Sequence, residues 1–111
     1  MKIGELCKAL NADVQVPGSQ EREVTKVTAG DLLSFVMGTA PEGAVWVTIQ
    51  AHLNVAAVAV LKDLPMIIIA AGRKAPQDLI DRCNSENICI ASVEETLYGV
   101  CCKMASLGFE E

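Results

Sequence analysis

Aromatic side chains are nearly missing from this chain: one Trp, one Tyr and two Phe, 4% of 111 residues. Its core must therefore be aliphatic, built from Val, Ile, Leu and Ala. An excess of positive charge is missing too. The net charge is −5, and the nine basic residues are scattered, with only Arg73-Lys74 adjacent. That excludes nucleic-acid binding through phosphates, which needs clustered Lys and Arg. No apolar run is long enough to cross a membrane: the stretch from Gly43 to Leu61 is broken by Gln50, His52 and Asn54. The opening Met1-Lys2-Ile3-Gly4-Glu5 leads into no export-type apolar core. A cytoplasmic location is the expectation, and with it five reduced thiols in place of a disulfide framework.

Motifs that carry chemistry are equally scarce. Gly38-Thr-Ala-Pro-Glu-Gly43 is followed by alanine, so no phosphate-cradling Gly-Lys loop exists. GxSxG and HExxH are absent as well. The cysteines stand as Cys83-x5-Cys89, the adjacent Cys101-Cys102, and a distant Cys7. Zinc knuckles and iron–sulfur sites use short paired spacings that are not found here, so no metal is expected. Cys83, Cys89 and Cys101 read as buried packing residues, and Cys102 as a residue pointing away from that face.

What is present is an apolar chain, 51% hydrophobic against 21% charged, of a length suited to one folded domain covering residues 1–111. Residues 2–10 carry Ile3, Leu6, Cys7 and Leu10 at helical spacing. Val14-Gln15-Val16 and Val24–Thr28 read as strands. Asp31 reads as the N-cap of a helix starting at Leu32, and Pro41-Glu42-Gly43 as a turn. Apolar runs then begin at Val45, Met66 and Ile88, roughly 21–22 residues apart, with helical segments between them. That rhythm predicts an α/β fold whose sheet is mainly parallel, with crossover helices on both faces. Pro76 marks the start of a helix over 76–86. Ser92-Val93-Glu94-Glu95 reads as a capping box opening the last helix, which Gly108 closes.

The segment Leu53–Lys62 departs from an ordinary surface helix. Eight of its ten residues are apolar, and they run nearly all the way round. A domain this small has difficulty covering both sides of such a helix. The expectation is a homodimer formed through this helix or through the neighbouring sheet edge.

In open parallel sheets, ligands bind outside the carboxyl ends of the strands. The strand ending at Gln50 would deliver Gln50, His52 and Asn54 there. The next would deliver Gly72, Arg73 and Lys74, and the last Ser92. Together with helix N-termini these make a candidate surface for a small anion or nucleotide. The structural alternative is that Gln50 and His52 cap the following helix while Arg73-Lys74 is solvated loop.

The blocks Thr28–Met37, Ala40-Pro-Glu-Gly43 and Val45–Val55, with Ile67–Gly72 and Ile88–Ser92, resemble the DRTGG domain family over nearly the whole chain. Members of that family occur free-standing, beside CBS domains in nucleotide-regulated pyrophosphatases, and in some phosphotransacetylases. The fold is also similar to the N-terminal domains of HPr kinase and the Mur ligases. The resemblance implies a regulatory or assembly domain and not an established catalyst, with an adenine nucleotide as the candidate ligand. The family's Asp-Arg pair would fall near Ala51-His52 and its Thr-Gly-Gly near Ala70-Ala71-Gly72, of which only Gly72 is kept. The alternatives to a sensing module are a small enzyme or phosphate-handling protein using His52, and a redox or iron–sulfur accessory protein.

Overall fold

Three strands, β3 (Val45–Thr48), β4 (Met66–Ile69) and β5 (Cys89–Ser92), are buried along their whole length. Strands covered on both faces carry unbroken apolar runs instead of alternation, which is why VWVT, MIII and CIAS stand out in the sequence. β2 (Val27–Ala29) pairs with β3 in parallel, β3 with β4, and β4 with β5. β1 (Asp13–Val16) closes the far edge antiparallel to β5, with an irregularity between Val14 and Val16. The strand order is β1-β5-β4-β3-β2. This computed structural model describes all residues, Met1–Glu111.

Because side chains alternate across a strand, each strand feeds two cores. On one face Trp46, Ile67, Ile69 and Ile90 meet Val36 of α2 (Leu33–Thr39), Val55, Ala56 and Ala59 of α3 (Asn54–Leu61), and Leu79 and Cys83 of α4 (Gln77–Ser85). On the other, Val45, Val47, Met66, Ile68, Cys89 and Ala91 meet Ile3 and Leu6 of α1 (Ile3–Ala9) and Val100 and Met104 of α5 (Leu97–Ser106). The chain is thus a single α/β domain with a mostly parallel sheet covered by helices on both faces. No helix is long and apolar enough to cross a membrane.

Several local expectations are corrected. The β2 strand is three residues long and begins at Val27, not Val24; Val24 instead pairs its N–H with the carbonyl of Met1. Asp31 does not cap α2. Leu32 holds that position with no side-chain bond, because the Asp31 carboxylate is drawn sideways to β3. Pro76 is the N-cap of α4, one position before the first helical residue. Ser92 belongs to β5, and α5 opens four residues later at Thr96, whose hydroxyl accepts from the Gly99 N–H at 3.1 Å.

The α3 helix shows where its surplus apolar surface goes. Val55, Ala56, Val58 and Ala59 are buried, whereas Leu53, Ala57, Val60 and Leu61 are not. Alongside it, α2 leaves Phe35 and the adjoining Leu32 in solvent. Leu61, Leu32 and Phe35 keep 69%, 68% and 62% of their surface exposed, an unusual amount for three large apolar residues on two adjacent helices.

Candidate functional site

The carboxyl ends of the four parallel strands bring together the loops after β2, β3, β4 and β5. Asp31, at the end of β2, accepts through Oδ1 from Thr48 Oγ1 at 2.7 Å and from the Ile49 N–H at 2.8 Å. Thr48 Oγ1 in turn accepts from the Gln50 N–H at 3.1 Å, and Gln50 Nε2 donates to the Asp31 carbonyl at 3.2 Å. These four bonds fix where the chain leaves β3. They also account for Thr48, a fully buried polar residue with each role satisfied.

His52 follows on that loop and is exposed. Its Nδ1 accepts from the Asn54 N–H at 3.1 Å, while its carbonyl accepts from Val55. The Ala56 N–H goes to Leu53. The first amides of α3 are therefore used internally. With Nδ1 accepting, the neutral ring carries its proton on Nε2 and presents a donor to solvent.

The β4–α4 loop is similarly committed. Ala71 and Gly72 both have left-handed backbones, φ +61° and +71°. Their N–H groups donate to the carbonyls of Glu95 and Val93, at 2.7 and 2.9 Å. A Cβ on Gly72 would lie 2.8 Å from Glu94 Oε2, so Glu94 lies against that glycine. Lys74 is ion-paired with Asp13 at 2.7 Å. Further along, Gln15 of β1 grips the entrance to α4: Oε1 accepts from the Ala75 N–H at 2.9 Å and Nε2 donates to the Ala75 carbonyl at 3.3 Å. Ser92 Oγ donates to the same Gln15 Oε1 at 2.8 Å.

The seven candidate residues divide accordingly. Gln50, Lys74 and Ser92 spend polar groups on the fold, as His52 does with one nitrogen. Asn54 has an exposed side chain, and Gly72 shapes the turn beside Glu94. Arg73 is exposed and makes no ion pair. Six of the nine basic residues are paired with carboxylates, leaving Lys8, Lys62 and Arg73; of these three, Arg73 alone lies at the carboxyl ends of the strands. Asp31, Gln15 and Glu94 are the residues that sequence reasoning did not place here. Asp31 was legible only as a cap, and nothing local marks Gln15 as a partner of residues 60 and 77 positions away.

The arrangement is a shallow polar surface without a deep pocket. Larger cavities lie along the exposed edge of β2, where 290 Å³ opens against Cys101, Ala105 and Phe109 and 530 Å³ against Phe35, Thr39 and Pro41. No three His, Cys, Asp or Glu side chains converge closely enough to hold a metal ion. The strand-end surface carries a guanidinium, an imidazole N–H and an amide, donors of the kind complementary to anionic groups.

No protein-family model matches the sequence, and no curated protein is similar to it. Among solved structures, the chain is similar to the CBS and DRTGG domains of the regulatory region of Clostridium perfringens pyrophosphatase, a structure that contains the activator diadenosine tetraphosphate. The TM-score is 0.78 at 15% identity, over 93% of this chain and 45% of that one. The chain thus spans less than half the length of that structure, and the likeness is one of fold. Its fold is DRTGG-like.

Proposed function

We propose that this domain is a non-catalytic regulatory or assembly module that homodimerises and senses a small phosphorylated ligand, an adenine nucleotide being the first candidate. Arg73 carries the ligand reading: it is an unpaired guanidinium at the end of the sheet where ligands of parallel α/β folds bind. His52 and Asn54 would supply further polar contacts. The regulatory region that this fold resembles contains a dinucleoside polyphosphate, which supports the choice of ligand class. Homodimerisation is supported by Leu32, Phe35 and Leu61, which leave apolar surface open on α2 and α3.

A thermal-shift series with AMP, ADP, ATP and diadenosine tetraphosphate tests the ligand. At ten times Kd the expected stabilisation is about 1.4 kcal/mol, a rise of several degrees, and Arg73→Ala should lose most of it. No shift with any of the four at millimolar concentration would leave assembly as the function. Light scattering of the wild type and of Leu61→Glu tests the dimer. The expected result is a dimer that becomes a monomer, and a monomeric wild type would dismiss that interface.

A further inference from the structure

The sulfurs of Cys7 and Cys89 meet 4.0 Å apart in the buried layer between α1 and β5, although 82 positions separate them in the chain. The two thiols differ in access. Cys89 is completely buried at the start of β5, whereas Cys7 keeps 5% of its surface exposed. Cys7 borders a cavity of 380 Å³ that also touches Lys8, Asn11 and Gln20. Above Cys89 the chain crosses at Gly18, so closely that a Cβ there would lie 2.5 Å from the Cys89 nitrogen. Of the two residues, Cys7 borders that cavity and Cys89 does not.

We propose that Cys7 and Cys89 form a reversible oxidation site at which a hydroperoxide entering beside α1 converts the two thiols into an intramolecular disulfide. The Cys7 thiolate attacks one peroxide oxygen. The O–O bond breaks, Cys7 becomes a sulfenic acid, and the hydroxide (or alkoxide) released takes up a proton and leaves as water or alcohol. The Cys89 sulfur then attacks the Cys7 sulfur. An S–S bond forms, the S–O bond breaks, and water leaves with the Cys89 proton. The two sulfurs together give up the two electrons that reduce the peroxide. Exchange with a dithiol restores both thiols.

The polarity of the pair fits this order of events. The hydrogen bond shared with Cys89 holds the Cys7 thiol below its ordinary range; burial acts in the opposite sense, and the Gln20 side chain adds to the lowering. The same bond, with burial, pushes Cys89 up. Cys7, which borders the cavity, is the thiol placed to meet the peroxide first. A disulfide needs its sulfurs about 2.05 Å apart, so they must approach by about 2 Å. α1, seven residues long, would have to shift toward β5 to bring them together. Oxidation would pin it to the sheet and close a loop across most of the chain.

The test uses the full chain carrying Cys101→Ser and Cys102→Ser, which removes the two cysteines that are not buried. Under native conditions, one equivalent of hydrogen peroxide should lower the intact mass by about 2 Da, and unreduced digests should contain the peptide pair joining Cys7 to Cys89. The melting temperature should rise on the order of 10 °C and fall back with dithiothreitol. Cys7→Ala and Cys89→Ala should each abolish the mass loss; if either fails to fold, the peptide map of the parent chain decides. The proposal is overturned if Cys7 gains oxygen without cross-linking, if the link appears only in denaturant, or if both thiols survive peroxide that consumes a free-thiol control.

Discussion

Thr48 and Asp31, 17 positions apart, join the ends of two neighbouring strands: the buried threonine hydroxyl donates to the aspartate Oδ1 at 2.7 Å. The same oxygen takes the Ile49 N–H, so one carboxylate oxygen sets the direction in which the chain leaves β3. Everything downstream on that loop, including Gln50, His52 and the first turn of α3, takes its position from this junction. Asp31 is in this sense a positioning residue for the candidate surface, since it touches the loop and not a ligand.

Removing the carboxylate should therefore cost more than removing a surface acid. Asp31→Ala leaves a buried hydroxyl and an amide without their acceptor, an expected loss of about 2–3 kcal/mol in urea unfolding. Asp31→Asn keeps an acceptor oxygen of the same shape and should cost less than about 1 kcal/mol. A cycle with Thr48→Val should show the two changes to be strongly non-additive. Equal effects of Ala and Asn would mean that the bonds at this junction carry little of the stability.

The strand–helix–strand rhythm after Val45 was readable because β3, β4 and β5 are buried on both faces and so spell unbroken apolar words. Burial of Cys89 was readable for the same reason and that of Cys83 from the apolar stripe of α4, whereas Cys101, expected to be buried, is only half-buried. What escaped are contacts made by folding and not by spacing. Gln15 lies beside Ser92 only because β1 runs antiparallel along β5. Cys7 lies beside Cys89 only because α1 covers that strand. Asp31 has the local pattern of a helix cap, yet a stronger set of donors on β3 claims its carboxylate. The capping box at Ser92 failed likewise, since Ser92 is still paired within β5 and Thr96 takes the cap position. Gln50, His52, Gly72, Arg73 and Lys74 lie on loops at the strand ends, Asn54 opens α3 and Ser92 ends β5; sequence does not reveal that most of their hydrogen bonds are spent within the fold.

Gly18 should be among the least replaceable residues. Its φ is +58°, and an added Cβ would stand 2.5 Å from the Cys89 nitrogen and 2.9 Å from its Cα, both backbone atoms of a buried strand. Gly18→Ala is expected to cost at least about 2 kcal/mol from strain and clash combined. Gly108 makes a control, because its φ is +92° but nothing lies within 4 Å of the added carbon. Gly108→Ala should cost only the backbone strain, roughly 1 kcal/mol. Similar unfolding midpoints for the two variants would contradict the crossing over Cys89.

Ala71 offers a change in the opposite direction. It is an exposed alanine with φ +61°, a conformation that disfavours any Cβ by roughly 1–2 kcal/mol. The DRTGG resemblance puts a glycine pair at this turn, and the backbone supplies the reason. Ala71→Gly relieves the strain but adds freedom to the unfolded chain, so a net gain of about 0.5 kcal/mol is expected. A lower melting temperature for the variant would show the turn to be unstrained.

Cys83 makes stability fall at alkaline pH. Burial among the α4 and sheet side chains pushes its thiol up to about 11. A thiol whose folded value lies above its unfolded value favours folding while protonated. That contribution is complete below about pH 9 and is lost as pH rises through about 11. It is worth about 2–3 kcal/mol. Cys89, also raised, acts in the same direction, and Cys7, which is lowered, opposes it. Cys83→Ala should start less stable at pH 8 because it leaves a small void, yet it should lose about 2 kcal/mol less than the wild type between pH 8 and pH 11. Urea unfolding at the two pH values measures this difference. Parallel losses in the two proteins would assign the alkaline transition to groups other than Cys83.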